Sequence, residues 1–173
     1  MLQPPISLKR ILVVRPDRIG DVLLSTPALS ALRRALPDAF IAVLVAPHAY
    51  EIVELNPYVD RVLVLDKKGK HRGVLGMMRL VRELKRERFD TVLILHGTRR
   101  VHLALFWARI PTRIGYNRKW GLLLTRRLKD VKPHGEKHEV EYSLDLLRQV
   151  GLRIQNAPVL LPTTAESDQT IDR

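Results

Sequence analysis

Two spacings of apolar residues alternate along this 173-residue chain. Four short runs, Ile11–Arg15, Phe40–Val45, Arg61–Leu65 and Asp90–Leu95, are almost continuously apolar and rich in Val, Ile and Leu. A strand with one wet face alternates apolar and polar side chains, whereas a strand covered on both faces does not, so these runs predict buried strands. Between them the apolar positions take helical spacing: Val22, Leu23, Leu29, Leu32 and Leu36 in one segment, Val74, Met77, Met78, Val81 and Leu84 in another. Ala46–Leu55 has room for a shorter helix, stopped by Asn56-Pro57. Strand and helix in alternation predict right-handed crossovers and hence an α/β fold, a doubly wound, mostly parallel, Rossmann-like sheet.

After Leu95 the pattern is less regular. An apolar run at Val101–Ala108 breaks at Pro111, and a basic segment follows from Arg113 to Arg127. Val140, Leu144, Leu147 and Val150 then mark an amphipathic helix ended by Gly151. One domain is expected over residues 1–155, and the polar stretch 156–173 reads as a linker or the opening of another domain. No internal repeat or low-complexity tract interrupts this plan.

Composition narrows the class. Apolar residues make up 46% and charged residues 28%, as in ordinary globular domains, and with only 5% aromatics the core must be aliphatic. The chain has no cysteine, which removes disulfides and thiolate metal sites. Met1–Leu8 holds two prolines and no long apolar stretch, and nothing approaches the ~20 apolar residues of a bilayer span. A cytoplasmic protein is expected, in contact with a membrane surface at most peripherally. The net charge of +12 attracts anions such as nucleic acid, phosphorylated sugars or an acidic membrane. Nucleic acid is the weaker expectation, because helix-turn-helix, zinc and RNP signatures are missing and aromatics for base stacking are few. His134 and His138 stand four apart but flank Gly135 at a helix start, so no metal site is expected there.

The first strand–helix junction carries the candidate chemistry. It reads Arg15-Pro16-Asp17-Arg18-Ile19-Gly20-Asp21, and in open α/β sheets ligands bind beyond the carboxyl ends of strands. Gly20 lets the backbone turn tightly or come close to a ligand. Asp21 is either a helix N-cap or a base at the mouth of the sheet that takes a proton from a substrate hydroxyl. Pro27 predicts a kink, or a helix restart capped by Ser25 or Thr26. Neither G-x-G-x-x-G nor a P-loop motif is present, which argues against a dinucleotide oxidoreductase or a P-loop enzyme.

The run Arg18–Leu29 (RIGDVLLSTPAL), with Leu32-Arg33 and Pro37, resembles the opening of glycosyltransferase family 9, the ADP-heptose:lipopolysaccharide heptosyltransferases. Asn56–Val62 (NPYVDRV), Phe89–Gly97 (FDTVLILHG) and Ala108–Tyr116 (ARIPTRIGY) are similar to further elements of that family, in the same order. The segment Arg113–Leu124 resembles heptosyltransferase II more than heptosyltransferase I. The resemblance implies the N-terminal, acceptor-binding half of a glycosyltransferase B-type fold. It also implies an inverting transfer of heptose from ADP-heptose to the anionic lipopolysaccharide inner core, with Asp21 as base. The donor would bind a C-terminal domain, no cofactor is expected in this chain, and the chain alone is expected to be inactive.

An anionic acceptor asks for cations around Asp21. The expected contacts are Arg18 and Gly20 at the first junction, Lys68 and Arg72 on a loop free to order over the acceptor, Gly97, Thr98 and Arg99 after the fourth strand, and Arg118. Arg15, Lys67, Lys70, Arg100, Arg113 and Lys119 complete the expected rim, with His96 as a structural hydrogen-bonding residue. Gly97 is expected to permit close approach of substrate or backbone. Two other readings fit the same charge: a basic module that binds anionic glycans or nucleic acid without catalysis, and a glycosyltransferase for another nucleotide sugar.

Overall fold

The computed structural model describes residues 7–130, 138–152 and 154. The four expected strands form, as β1 (Arg10–Arg15), β2 (Phe40–Val45), β3 (Arg61–Val64) and β4 (Thr91–Ile94). Two more, β5 (Thr112–Tyr116) and β6 (Arg126–Leu128), fall at the two ends of the basic segment, where the apolar pattern predicts no strand. Both are short, and their arginines hide the apolar pattern that betrays the others. All six run parallel in the order β3-β2-β1-β4-β5-β6.

Helices cover both faces, which is why the central strands read as unbroken apolar runs. Val13, Val43 and Leu93 point to one face, under α1 (Ile19–Leu23), α2 (Thr26–Ala35), α3 (Tyr50–Glu54) and α6 (Glu139–Gln149). Leu12, Val14 and Leu44 point to the other, under α4 (Gly73–Glu87) and α5 (Arg99–Trp107). The predicted break at Pro27 is real: α1 ends, and α2 restarts with Ser25 at its N-cap and the proline in its first turn. The Ser25 hydroxyl does not cap, however; it donates back to the Asp21 carbonyl at 2.8 Å. Ala46–Leu55 divides into a 3₁₀ turn at Pro47–Ala49 and the short α3. Gly151, with φ +84°, follows α6 as expected. The expected domain limit at residue 155 and the stretch 156–173 lie outside the described residues.

The loop between β3 and α4 is fastened rather than free to order. The Asp66 carboxylate accepts backbone N–H bonds from Lys68, Gly69 and Lys70 at 2.8–3.1 Å, and these bonds hold its pKa below the ordinary value. His71 is fully buried; its Nδ1 accepts from the Asp66 N–H, and its Nε2 meets Glu83 at 3.1 Å. Gly76 of α4 packs directly on the His71 backbone, where a Cβ would lie 2.6 Å from His71 Cα. Backbone cannot swing away as a flexible side chain can. Gly76→Ala is therefore expected to destabilise the domain by about 1–3 kcal/mol, read from the urea midpoint at unchanged slope.

Candidate functional site

β1 and β4 lie side by side at the centre of the sheet, and the chain leaves them toward opposite faces, to α1 and to α5. This is the topological switch point, where neighbouring loops part and leave a crevice at the strands' carboxyl ends. The junctions Arg15–Asp21 and His96–Arg99 form its two walls.

Arg15 ends β1 with its side chain only 3% exposed. A guanidinium is tolerated at that depth only when carboxylates compensate its lost hydration. Three do. Nη1 donates to Glu139 Oε1 at 2.8 Å, Nη2 lies 3.2 Å from Asp21 Oδ1, and Nε lies 3.1 Å from Asp17 Oδ1. The last approach is too misaligned for a hydrogen bond and leaves both atoms without one, so Coulomb attraction alone acts there. The planar fork of arginine, with five N–H groups, is what allows one cation to serve several carboxylates.

Asp21 sits in the first turn of α1, but the N-cap is Arg18, which makes no side-chain cap hydrogen bond. The capping reading of Asp21 is thus excluded; its oxygen turns to Arg15 instead. The Asp21 side chain remains 33% exposed, facing the mouth of the sheet. A Cβ on neighbouring Gly20 would meet no atom within 4 Å, and its φ is not positive. The turn therefore does not require glycine, and the open space beside Asp21 is what Gly20 contributes.

Across the crevice His96 Nδ1 stands 3.2 Å from Asp17 Oδ2, and His48 Nε2 lies 2.8 Å from the Asp17 carbonyl oxygen. Burial holds the His96 pKa below its ordinary value; Asp17 opposes the shift, and Arg15, Lys67 and Arg118 add to it. Burial also raises the Asp17 pKa, against the pull of Arg15 and His96. The fields of three cations thus converge on His96.

The remaining expected residues divide. Arg18, Lys68, Arg72 and Arg99 are exposed on the carboxyl edge, with Arg99 over the Trp120 ring at 5.6 Å. Thr98 caps α5, its hydroxyl accepting from Val101 N–H at 3.5 Å. Gly97 makes room for its protein neighbours: a Cβ there would collide with His102 Nε2 and lie 2.9 Å from Ile94 Cγ2. Arg118 is no free cation, since Asp130 grips it through Nε at 2.6 Å and Nη2 at 3.2 Å. Arg15 is a buried hub rather than part of the rim. Arg113 lies near the start of β5, at the opposite edge, donating to the Leu123 and Ile110 carbonyls. Gly97, Thr98, Arg99 and Arg118 do come together around a cavity of about 650 Å³, also lined by His102, Trp120 and Asp130. His134 lies outside the described residues; His138 caps α6 through Nδ1, and no cluster suited to a metal occurs among the described residues.

No family model matches the chain. A Haemophilus influenzae protein with a glycosyltransferase name is 30% identical over 156 residues, 90% of this chain and 44% of that protein. Lipopolysaccharide heptosyltransferase 3 of Escherichia coli K12 is 26% identical over 139 residues, 77% of this chain and 40% of that one. The crystal structure of the glycosyl transferase family 9 protein from Veillonella parvula superimposes with a TM-score of 0.84 at 25% identity, over 99% of this chain and 49% of that one. The chain is similar to glycosyltransferases, among them a family 9 protein and a lipopolysaccharide heptosyltransferase. It spans less than half the length of each of these relatives.

The residues that sequence reasoning missed are Asp17, Glu139 and the hub role of Arg15. Asp17 had a visible signal, a second carboxylate in the junction that holds Asp21. Glu139 had none, since it lies 124 residues from Arg15 in sequence. Removing the hub tests its weight. Arg15→Met should strand the facing carboxylates and lower stability by about 3 kcal/mol, the low end for a buried pair because Asp21 and Glu139 keep solvent contact. His96 should titrate below 6.5 by NMR, and lower still in Asp17→Asn, which removes a charge that raises it. Its linkage follows: the unfolded chain binds that proton more readily, so stability is lost as pH falls through the unfolded value.

Proposed function

We propose that this chain is the N-terminal, acceptor-binding half of an inverting family 9 glycosyltransferase, moving heptose from ADP-heptose to the lipopolysaccharide inner core with Asp21 as general base. The observation that carries this reading is a part-exposed carboxylate at the switch point, held through one oxygen by a buried arginine and flanked by the open space over Gly20. A sugar hydroxyl is a weak nucleophile whose proton becomes acidic only as its oxygen bonds to the anomeric carbon. Asp21 takes that proton while the bond from the anomeric carbon to the diphosphate oxygen breaks on the far side and ADP departs with the electron pair. Attack opposite the leaving group inverts the centre and needs no covalent enzyme intermediate. Arg15 fixes the direction of the carboxylate, and a base held within hydrogen-bond reach is what makes general base catalysis effective.

Acceptor phosphates and carboxylates meet the exposed cations Arg18, Lys68, Arg72 and Arg99, with Lys67 adding to the field at the crevice. ADP-heptose binds the second domain of the B-type fold, so the chain by itself holds the base and not the donor site; no cofactor or metal takes part through this chain. Among the described residues no helix is long and apolar enough to cross a membrane. The protein works at the cytoplasmic side, reaching its acceptor from the surface of the inner membrane.

In a protein carrying both halves, Asp21→Ala should lower kcat by about 10²–10⁴-fold while the dissociation constant for ADP-heptose stays within twofold of wild type. Turnover equal to wild type would remove Asp21 from the mechanism, and the chain alone should show no heptosyl transfer.

A further inference from the structure

The outer face of α4 and α5 is not finished as an ordinary soluble surface. Val74, Leu75 and Met78, in the first turns of α4, are 78%, 81% and 48% exposed, and Trp107 at the end of α5 is 50% exposed. Isolated exposed apolar residues need no explanation, but several side by side mark an interaction surface. Val74 and Trp107 line an apolar groove of about 440 Å³ between the helices, with Met77 and Leu103. Trp107 also lines a second cavity of about 680 Å³ with Val81, Phe106 and Ile110, so the apolar seam continues along the helix pair.

The charges around this seam have one sign. Arg99 and Arg100 line the first groove; Lys85, Arg109 and Arg113 line the second; among the described residues no carboxylate lines either. Arg100 is anchored to the Gly73 carbonyl, which holds one cation beside the exposed start of α4. Glu83, the acidic residue of α4 nearest this end, is engaged by Lys70 at 2.7 Å and by buried His71. Exposed Lys68 and Arg72 precede the helix.

We propose that this face is a docking surface for an anionic lipid bilayer, with Val74, Leu75 and Met78 entering among the acyl chains while the surrounding cations rest on the headgroup phosphates. Interfacial binding of proteins grows with the apolar area buried and with electrostatic attraction to anionic lipid, and this surface supplies both. Self-association is the poorer fit, because a second copy would bring the same cations against these. A nucleic acid would leave the apolar tip of α4 in water. Arg99 lines both the groove and the cavity beside Gly97 and Arg118, so a docked bilayer would lie next to the candidate site. The purpose of docking rests on the lipid-borne acceptor proposed above; the surface itself rests on exposure and charge alone.

The test is flotation of the full-length protein with vesicles of phosphatidylethanolamine and phosphatidylglycerol, against vesicles of phosphatidylcholine alone. Binding to the anionic vesicles is expected, falling at least tenfold in Val74→Ser/Leu75→Ser and falling steeply between 50 mM and 500 mM salt. The same double variant should transfer to a lipid-free inner-core oligosaccharide as wild type does, and more slowly to acceptor embedded in vesicles. Asp21→Ala should float as wild type does; if it does and the double variant also floats normally, docking fails while the catalytic reading stands. No flotation, equal flotation on the neutral vesicles, or a concentration-dependent dimer abolished by the double variant would each overturn the proposal. Met78→Gln, at a single exposed position, repeats the test if the double variant melts early.

Discussion

Burying the Arg15 guanidinium is the constraint from which the site's arrangement follows. A cation that has lost almost all its water must be surrounded by negative charge, and no single carboxylate reaches all of its N–H groups. Satisfying it draws in Asp17 from the loop just beyond β1, Asp21 from α1 and Glu139 from α6. The start of α6 is thereby tied to the first junction across most of the domain. Asp21 takes its direction from the same demand, so the group proposed to accept a proton is aimed by a charge that cannot itself reach solvent.

Around that centre the electrostatics form two shells of opposite sign. Asp17, Asp21 and Glu139 make the inner one, about a single buried cation, while Arg18, Lys67, Lys68, Arg72 and Arg99 stand outside it on the carboxyl edge. The role proposed for Asp21, taking a proton from an anionic substrate, needs this separation. Cations packed directly against both carboxylate oxygens would occupy the lone pairs required for the proton, whereas cations one layer out can draw in the acceptor and leave the base accessible. His96 lies where the shells meet, and its depressed pKa records burial among cations, with Asp17 in opposition.

The parallel sheet divides the labour between its faces. The side carrying α1, α2, α3 and α6 is tied to the buried hub and supplies the rigid wall of the crevice. The side carrying α4 and α5 supplies an apolar, cation-lined exterior, and its Arg99 reaches both that exterior and the cavity at the crevice. Gly76 and Gly97 are where the two requirements meet in packing, since each lets a helix or loop close on a histidine that a Cβ would displace.

The four apolar runs and the helical spacing between them were enough to derive a parallel sheet covered on both faces, because burial on two sides erases alternation and leaves a local mark in the sequence. The break at Pro27, the end of α6 at Gly151 and the position of Asp21 at the sheet's mouth were legible for the same reason, each being set by neighbours in the chain. What lay beyond reach was pairwise and long-range. That Arg15 is a buried hub, that Arg118 is held by Asp130, that Arg113 faces the opposite edge and that Gly97 makes room for His102 all depend on which distant group arrives opposite. A charged residue looks the same in sequence whether it meets water, a substrate or a carboxylate 124 residues away. Only closure of the tertiary structure decides among these, because the desolvation of a charge is a property of its surroundings rather than of its own segment.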